Sequence, residues 1–289
     1  MKQCTLTNRT QVTEKKTIYA KIVADSISPA GVRLTTMECQ FPRFILAQVN
    51  THRAFSRNSA SSRAIPIHKR IQEVQMDPYI PIFMGSNQSG MQAGPEVGVQ
   101  KKWKAEVAWR NGCASAVYAA REMAEAGVHK EIVNRLLEPF LWHKAIISAT
   151  EWKNFFDQRA NHSAQPEIQQ LAREMHYAME TSNPLPVAYG DWHLPYIGAE
   201  EMKSLPAFSC MAVSAARCAR VSYLTHEGIR SAEKDIELFR KLAEAKPPHL
   251  SPFEHVATPS KDPVPGNFRL WKQFRHTISE YQGEVGVVE

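Results

Sequence analysis

Alternation of apolar and polar positions is clearest near the start of the chain. "YAKIVADSI" (19–27) and "GVRLTTMECQF" (31–41) are rich in β-forming residues, and Ser28-Pro29-Ala30-Gly31 between them is a turn signal. The pair predicts a hairpin. Pro42 suits the first turn of a helix, which Phe44, Ile45, Ala47 and Val49 carry towards His52. Serines crowd 56–62 and lower helix propensity, so that helix is expected to open into a loop. Residues 78–98 are dense in Gly and Pro and predict a long excursion. A helix follows from about Lys101 to Glu125, closed by Gly127. Its set Trp103, Val107, Cys113, Val117 and Met123 has a roughly helical period, which points to core packing.

Further helices are expected at 129–138, 145–158, 164–181, 209–221 and 231–245. Arg159 closes one of them, and Ser163 is the expected N-cap of the next. The stretch 183–206, with Pro184, Pro186, Pro195 and Pro206, predicts a connector. No internal repeat or low-complexity block interrupts the chain. The fold class is α+β: one helix-rich domain over 1–289 with a small antiparallel sheet.

Composition narrows this picture only a little. At 289 residues with 43% hydrophobic and 22% charged, the chain can bury a full core, and it is not disordered as a whole. No apolar run approaches the roughly 18 residues that cross a bilayer, and "MKQCTLTNRTQVTEKK" has no apolar stretch of a secretory signal. A soluble cytoplasmic protein without a membrane partner is expected. The five cysteines, Cys4, Cys39, Cys113, Cys210 and Cys218, form no Cys-x-x-Cys pair, so reduced, mostly buried thiols are expected and a zinc site is not. The formal charge of +6 fits an anionic partner: nucleic acid, a nucleotide or a folate.

The candidate chemistry starts from "THRAFSRNSASSRAIP" (51–66), which holds three arginines, four serines, a histidine and an asparagine, and no acid. Arginine grips phosphate or carboxylate with a planar fork of donors, and serine and backbone N–H groups add a cradle. A solvated surface loop and a phosphate site both remain open on these residues alone. Arg159, in "NFFDQRANHSAQPEI" (154–168), and Arg135, in "NRLLEP" (134–139), add two more arginines. Each has an ordinary structural alternative, as a junction contact or a snorkelling side chain.

Together these pieces resemble the flavin-dependent thymidylate synthases. That family carries Arg-His-Arg, seven residues, then Ser. Here the motif reads Thr51-His52-Arg53, seven residues, Ser61, with Asn58 and Arg63 in register and Gln48 three residues ahead. "NFFDQRANHSAQPEI" is similar to the family's Asn-Phe-Leu-x-x-Arg…Ala-Gln-x-Glu-Ile segment and places Asn154 and Arg159. "NRLLEP" is similar to Ala-Arg-x-x-Leu-Pro and places Arg135. "AARCARVSY" (215–223) and "PPHLSPFEHV" (247–256) resemble stretches that the family carries ahead of the arginine motif, so a circularly permuted order is expected. The family-like core covers 31–63 and 129–182 and the permuted segment 207–258, while 64–128 and 183–206 are not covered. Thr51 and Ser59 replace an arginine and a glutamate, and Ser148 and Thr150 replace an Asn-x-Arg pair that normally helps hold the flavin.

The resemblance implies transfer of a one-carbon unit from methylenetetrahydrofolate to C5 of dUMP, with FAD as cofactor and NADPH as reductant, giving dTMP. It implies a nucleotide site of Gln48, Ser61, Ser62, Arg63, Arg135 and Arg159, with Arg159 the catalytic group facing the pyrimidine. It implies a flavin site of His52, Arg53, Ala54, Asn58, Ser59, Asn154, His249 and Ser251, with His249 also near the folate. No metal is implied, and a homotetramer is. A related enzyme that ends at the hydroxymethyl product is the nearest rival. A basic nucleic-acid-binding protein using 51–63 and "KKWK" (101–104) is the rival from another class; within 51–63 only Phe55 offers a base a stacking surface.

Overall fold

A computed structural model of the chain describes residues 16–221 and 231–278. The expected hairpin forms as β1 (Tyr19–Ile27) and β2 (Arg33–Pro42), paired from Tyr19↔Gln40 to Ile27↔Arg33 with a bulge between Ile22 and Ala24. Gly31 makes the turn at φ 73°, a conformation that favours glycine. β3 (Ser56–Ser59), β4 (Trp142–Ala149) and β5 (Leu185–Pro186) complete a sheet of order β3-β4-β2-β1-β5. All its pairings are antiparallel except β1 with β5. The remaining elements are α1 (Leu46–Asn50), α2 (Ile67–Met76), α3 (Val99–Glu125), α4 (Lys130–Val133), α5 (Lys153–Arg159), α6 (Pro166–Glu180), α7 (Ala199–Ser204), α8 (Ala207–Arg220) and α9 (Ala232–Ala243), with a two-stranded ladder of β6 (Ala257–Pro259) and β7 (Trp271–Gln273).

The expected helix over 145–158 is overturned. Its first half is β4, bonded to β2 on one side and β3 on the other, and the helix begins only at Lys153. Both faces of β4 are covered. Ala145, Ile147 and Ala149 join Met37, Cys39 and Phe41 of β2 against Phe155 of α5 and Ile168, Leu171 and Met175 of α6. Ile146, on the other face, meets Cys218 of α8. A strand buried on two faces shows no two-residue alternation, so its pattern passes for a helix.

Other differences are smaller. Ser56–Ser59 is an edge strand, because its backbone groups find β4, where a loop was expected. The helix expected at 129–138 is one α-turn followed by a 3-10 stretch, Asn134–Phe140, which accommodates Pro139. Ser163 does not cap α6; the helix starts at Pro166 with Gln165 ahead of it and no side-chain acceptor. On α3, Cys113 and Val117 are buried as expected, but Trp103 is 64% and Val107 36% exposed. The connector holds β5 and α7. Cys39, Cys113, Cys210 and Cys218 are free and buried, and Cys4 lies outside the described residues. No described helix is long and apolar enough to cross a membrane.

Candidate functional site

The site grows from the turn after α1. Arg57 clamps the end of this helix: its Nη1 donates to the carbonyls of Val49 (3.3 Å), Asn50 (3.2 Å) and His52 (2.8 Å). Arg57 thereby shapes the turn that presents His52 and Arg53. Sequence reasoning gave it no role, although a basic residue shortly after a helix end is the available signal.

Arg159, the last residue of α5, reaches this turn from the side. Its Nε donates to His52 Nε2 at 3.0 Å and its Nη2 to Thr51 Oγ1 at 3.4 Å. His52 is wedged edge-on against Phe155, with ring centroids 4.9 Å apart. Burial, then the charges of Arg159 and Arg57, lower its pKa, so the imidazole is neutral and accepts at Nε2. Gln48 is bonded elsewhere. Its Nε2 donates to Gln165 Oε1 (2.6 Å), Gln165 Nε2 donates to Glu167 (2.9 Å), and the buried Tyr79 hydroxyl donates to the same carboxylate (3.2 Å).

A second arginine group lies where β3 runs into the following turn. Asn134 Nδ2 donates to the carbonyls of Ser62 (2.7 Å) and Ile65 (2.9 Å) and so fixes the 61–65 turn against the 3-10 stretch. Arg63 Nε lies 3.2 Å from Glu131, and Arg135 Nη1 lies 2.9 Å from Glu138. The buried Ser62 hydroxyl also donates to Glu138, while Ser61 is exposed and its Oγ accepts from the Arg63 backbone N–H (3.2 Å). Ser61, Ser62, Arg63 and Arg135 are thus gathered in one chain, while Gln48 sits with Gln165. Glu131 and Glu138 had no place in the sequence expectation.

The expected flavin side is built from distant pieces. Ser56 Oγ donates to Glu254 at 2.6 Å, seating the turn Ser251–Glu254 on β3, and Asn267 Nδ2 donates to the Ala54 carbonyl at 3.1 Å. Asn58 Nδ2 donates to the Cys218 carbonyl at 2.8 Å, tying β3 to α8. Of the expected permuted pieces, Ser222 and Tyr223 lie outside the described residues. Arg53, Asn154, His249 and Ser251 are exposed, and Ser59 pairs with Ala145 in the sheet. Arginine, imidazole, amide and hydroxyl groups are donor types that suit a cofactor carrying a diphosphate.

Of the Ser148 and Thr150 pair, Ser148 is buried and Thr150 is half-exposed. Thr150 Oγ1 accepts from the Arg269 backbone N–H at 3.0 Å. Ser148 lies in a buried chain: His255 Nδ1 shares a 2.8 Å hydrogen bond with Ser148 Oγ, which is 2.6 Å from Thr36 Oγ1. Thr36 is 2.8 Å from His193 Nε2, and His193 Nδ1 is 2.8 Å from Ser26 Oγ. Burial pushes both imidazoles down to about 3, so they are neutral. Among the described residues, no group of His, Cys, Asp and Glu side chains could hold a metal ion.

Residues 2–185 match the family described as Thy1, thymidylate synthase complementing protein. Two solved structures of the UMP/dUMP methylase PolB from Streptomyces cacaoi, bound with 5-Br dUMP and with 5-Br UMP, are similar at 15% identity and TM-score 0.47. The alignments cover 57% of this chain and 90% and 89% of those chains. Comparison with curated proteins found no match. With the family match running over well more than half of its length, the chain belongs to the thymidylate synthase complementing protein family.

Proposed function

We propose that this chain is a flavin-dependent thymidylate synthase that transfers a one-carbon unit from methylenetetrahydrofolate to C5 of dUMP. The observation that carries the reading is the pairing of two arginine groups. Arg63 and Arg135, with Ser61 and Ser62, stand together at the end of β3, and Arg159 stands against the His52 turn at its start. The first group suits the 5′-phosphate: the guanidinium forks and the exposed Ser61 hydroxyl bind it by charge-assisted bonds, and Ser62 backs the group through Glu138. Arg159, held by neutral acceptors, keeps its charge for the pyrimidine ring as C5 becomes nucleophilic. Gln48 reaches the nucleotide from its bond to Gln165. His52, Arg53, Ala54, Asn58, Ser59, Asn154, His249 and Ser251 are the residues that would hold FAD. Reduced flavin, replenished by NADPH, supplies the hydride for this chemistry.

A homotetramer belongs to this reading. Val99, Trp103 and Val107 recur every four residues along α3, Tyr118 falls on the same side, and all four are exposed, which supports covering that face with another copy. A second reading ends at the hydroxymethyl nucleotide. The burial of Ser148 favours it, because its hydroxyl is committed to His255 and Thr36 and offers no donor to a flavin. The experiment is incubation of the purified chain with dUMP, methylenetetrahydrofolate, FAD and NADPH, followed by mass spectrometry of the nucleotide. A methyl product supports the proposal and a hydroxymethyl product the second reading. Salt-sensitive nucleic-acid binding by a chain with no flavin absorption and no nucleotide product would displace both.

A further inference from the structure

Glu138 Oε1 is the meeting point of three donors: Arg135 Nη1 at 2.9 Å, Arg43 Nη2 at 3.2 Å and the Ser62 hydroxyl. In the family stretch Ala-Arg-x-x-Leu-Pro, which 134–139 resembles, leucine stands where this chain has Glu138. The three donors are not equally fixed. Ser62 is 4% exposed, and Arg43, with a side chain 14% exposed, is also bonded to the Ala60 carbonyl (3.2 Å) and to His143 Nδ1 (3.1 Å). Arg135, with its side chain 54% exposed, can turn away without disturbing the core. The carboxylate is therefore anchored from behind, and only its front partner is exchangeable.

We propose that Glu138 is a specificity-determining residue of the nucleotide site, an internal anion that competes with the ligand's phosphate for Arg135. The proposal rests on the reading of Arg135 as a phosphate ligand. Binding is then an exchange of one anion for another at the same guanidinium. A 5′-phosphomonoester carries close to two negative charges at neutral pH, against one on the carboxylate, and wins the exchange. A phosphodiester carries one charge and gains little by displacing Glu138. Glu131 imposes the same condition on Arg63, from 3.2 Å. A chain of formal charge +6 with an arginine-rich edge thereby accepts a terminal phosphate and declines the backbone of a nucleic acid.

The test compares Glu138→Gln, which still offers an amide oxygen to Arg43 and Ser62, with Glu138→Leu, the family's residue. Folding of each is checked by thermal unfolding. Calorimetric titrations use dUMP, deoxyuridine and a short single-stranded oligodeoxynucleotide without terminal phosphates. Both variants are expected to bind dUMP about three- to fivefold more tightly, the scale of releasing one half-exposed ion pair. The oligonucleotide should gain at least as much, and deoxyuridine should be unchanged. Unchanged or weakened dUMP binding in both folded variants overturns the proposal; if Arg135→Ala still loses dUMP affinity, the phosphate site stands without it. Unchanged dUMP affinity in Arg135→Ala removes the phosphate site itself, and this proposal with it.

Discussion

The two arginine groups differ in what holds them. Arg63 and Arg135 each face a carboxylate, Glu131 and Glu138, while Arg159 is held by a neutral imidazole and a hydroxyl. A charge already matched by a neighbour can trade partners when an anion arrives, which suits binding. A charge with only dipoles around it is poised for negative charge that appears later, which suits the chemical step. One chain thus assigns the same residue type to two tasks through the partners it supplies.

The largest expected effect tests that division directly. Arg159→Ala should fold and bind dUMP through Arg63 and Arg135, yet its turnover should fall by roughly a hundredfold or more. Lysine should restore little, because a point charge lacks the planar fork. Near-normal turnover in folded Arg159→Ala would erase the contrast. Arg135→Ala should show the opposite split in steady-state kinetics, with KM raised about tenfold and kcat close to the parent value. A fall in kcat alone would place Arg135 in the chemistry.

Stability separates the two sides further. His193 and His255, in the buried chain through Ser148 and Thr36, sit at about 3, while an unfolded histidine titrates at about 6.5. Between those values the unfolded chain binds more protons, so stability is complete above about pH 7 and falls as pH falls through 6.5. His193 faces Asp25, with Ser26 and Thr36 as its bonded neighbours, and His255 faces His193 and Ser148. Denaturant unfolding should show a loss of up to about 1.4 kcal/mol per pH unit from each imidazole. A midpoint flat between pH 7 and 5 would show that these imidazoles are not buried neutral. Arg57→Ala should cost about 1–3 kcal/mol in the same measurement, because three carbonyls of the His52 turn lose a charged donor. Lys153→Ala, which breaks an exposed pair with Asp157, should cost no more than about 0.5 kcal/mol.

The sequence made some parts of this site legible and hid others for physical reasons. The hairpin, α3, α6, α8 and α9 show themselves because each carries a one-sided or well-bounded pattern. β4 was hidden because burial on both faces erases alternation. Arg63, Arg135 and Arg159 stood out through their motif spacing, and the resemblance to the family rested on them. Glu131, Glu138 and Gln165 were invisible as site residues, because their importance lies in contacts that only folding creates. The turn Ser251–Glu254 packs against β3 through Ser56 across nearly 200 positions of chain. No local pattern encodes such a contact; only the order of resembling segments hinted at it.

The most direct measurement of the central claim follows the hydrogen at C5 of the nucleotide. The purified chain is given dUMP tritiated at C5, with methylenetetrahydrofolate, FAD and NADPH, and release of tritium to water is counted alongside the mass of the product. Release that requires FAD, slows by roughly a hundredfold or more in Arg159→Ala and accompanies a methylated nucleotide is the expected result. A folded chain that binds dUMP and flavin, yet releases no tritium and leaves the nucleotide mass unchanged, would contradict it.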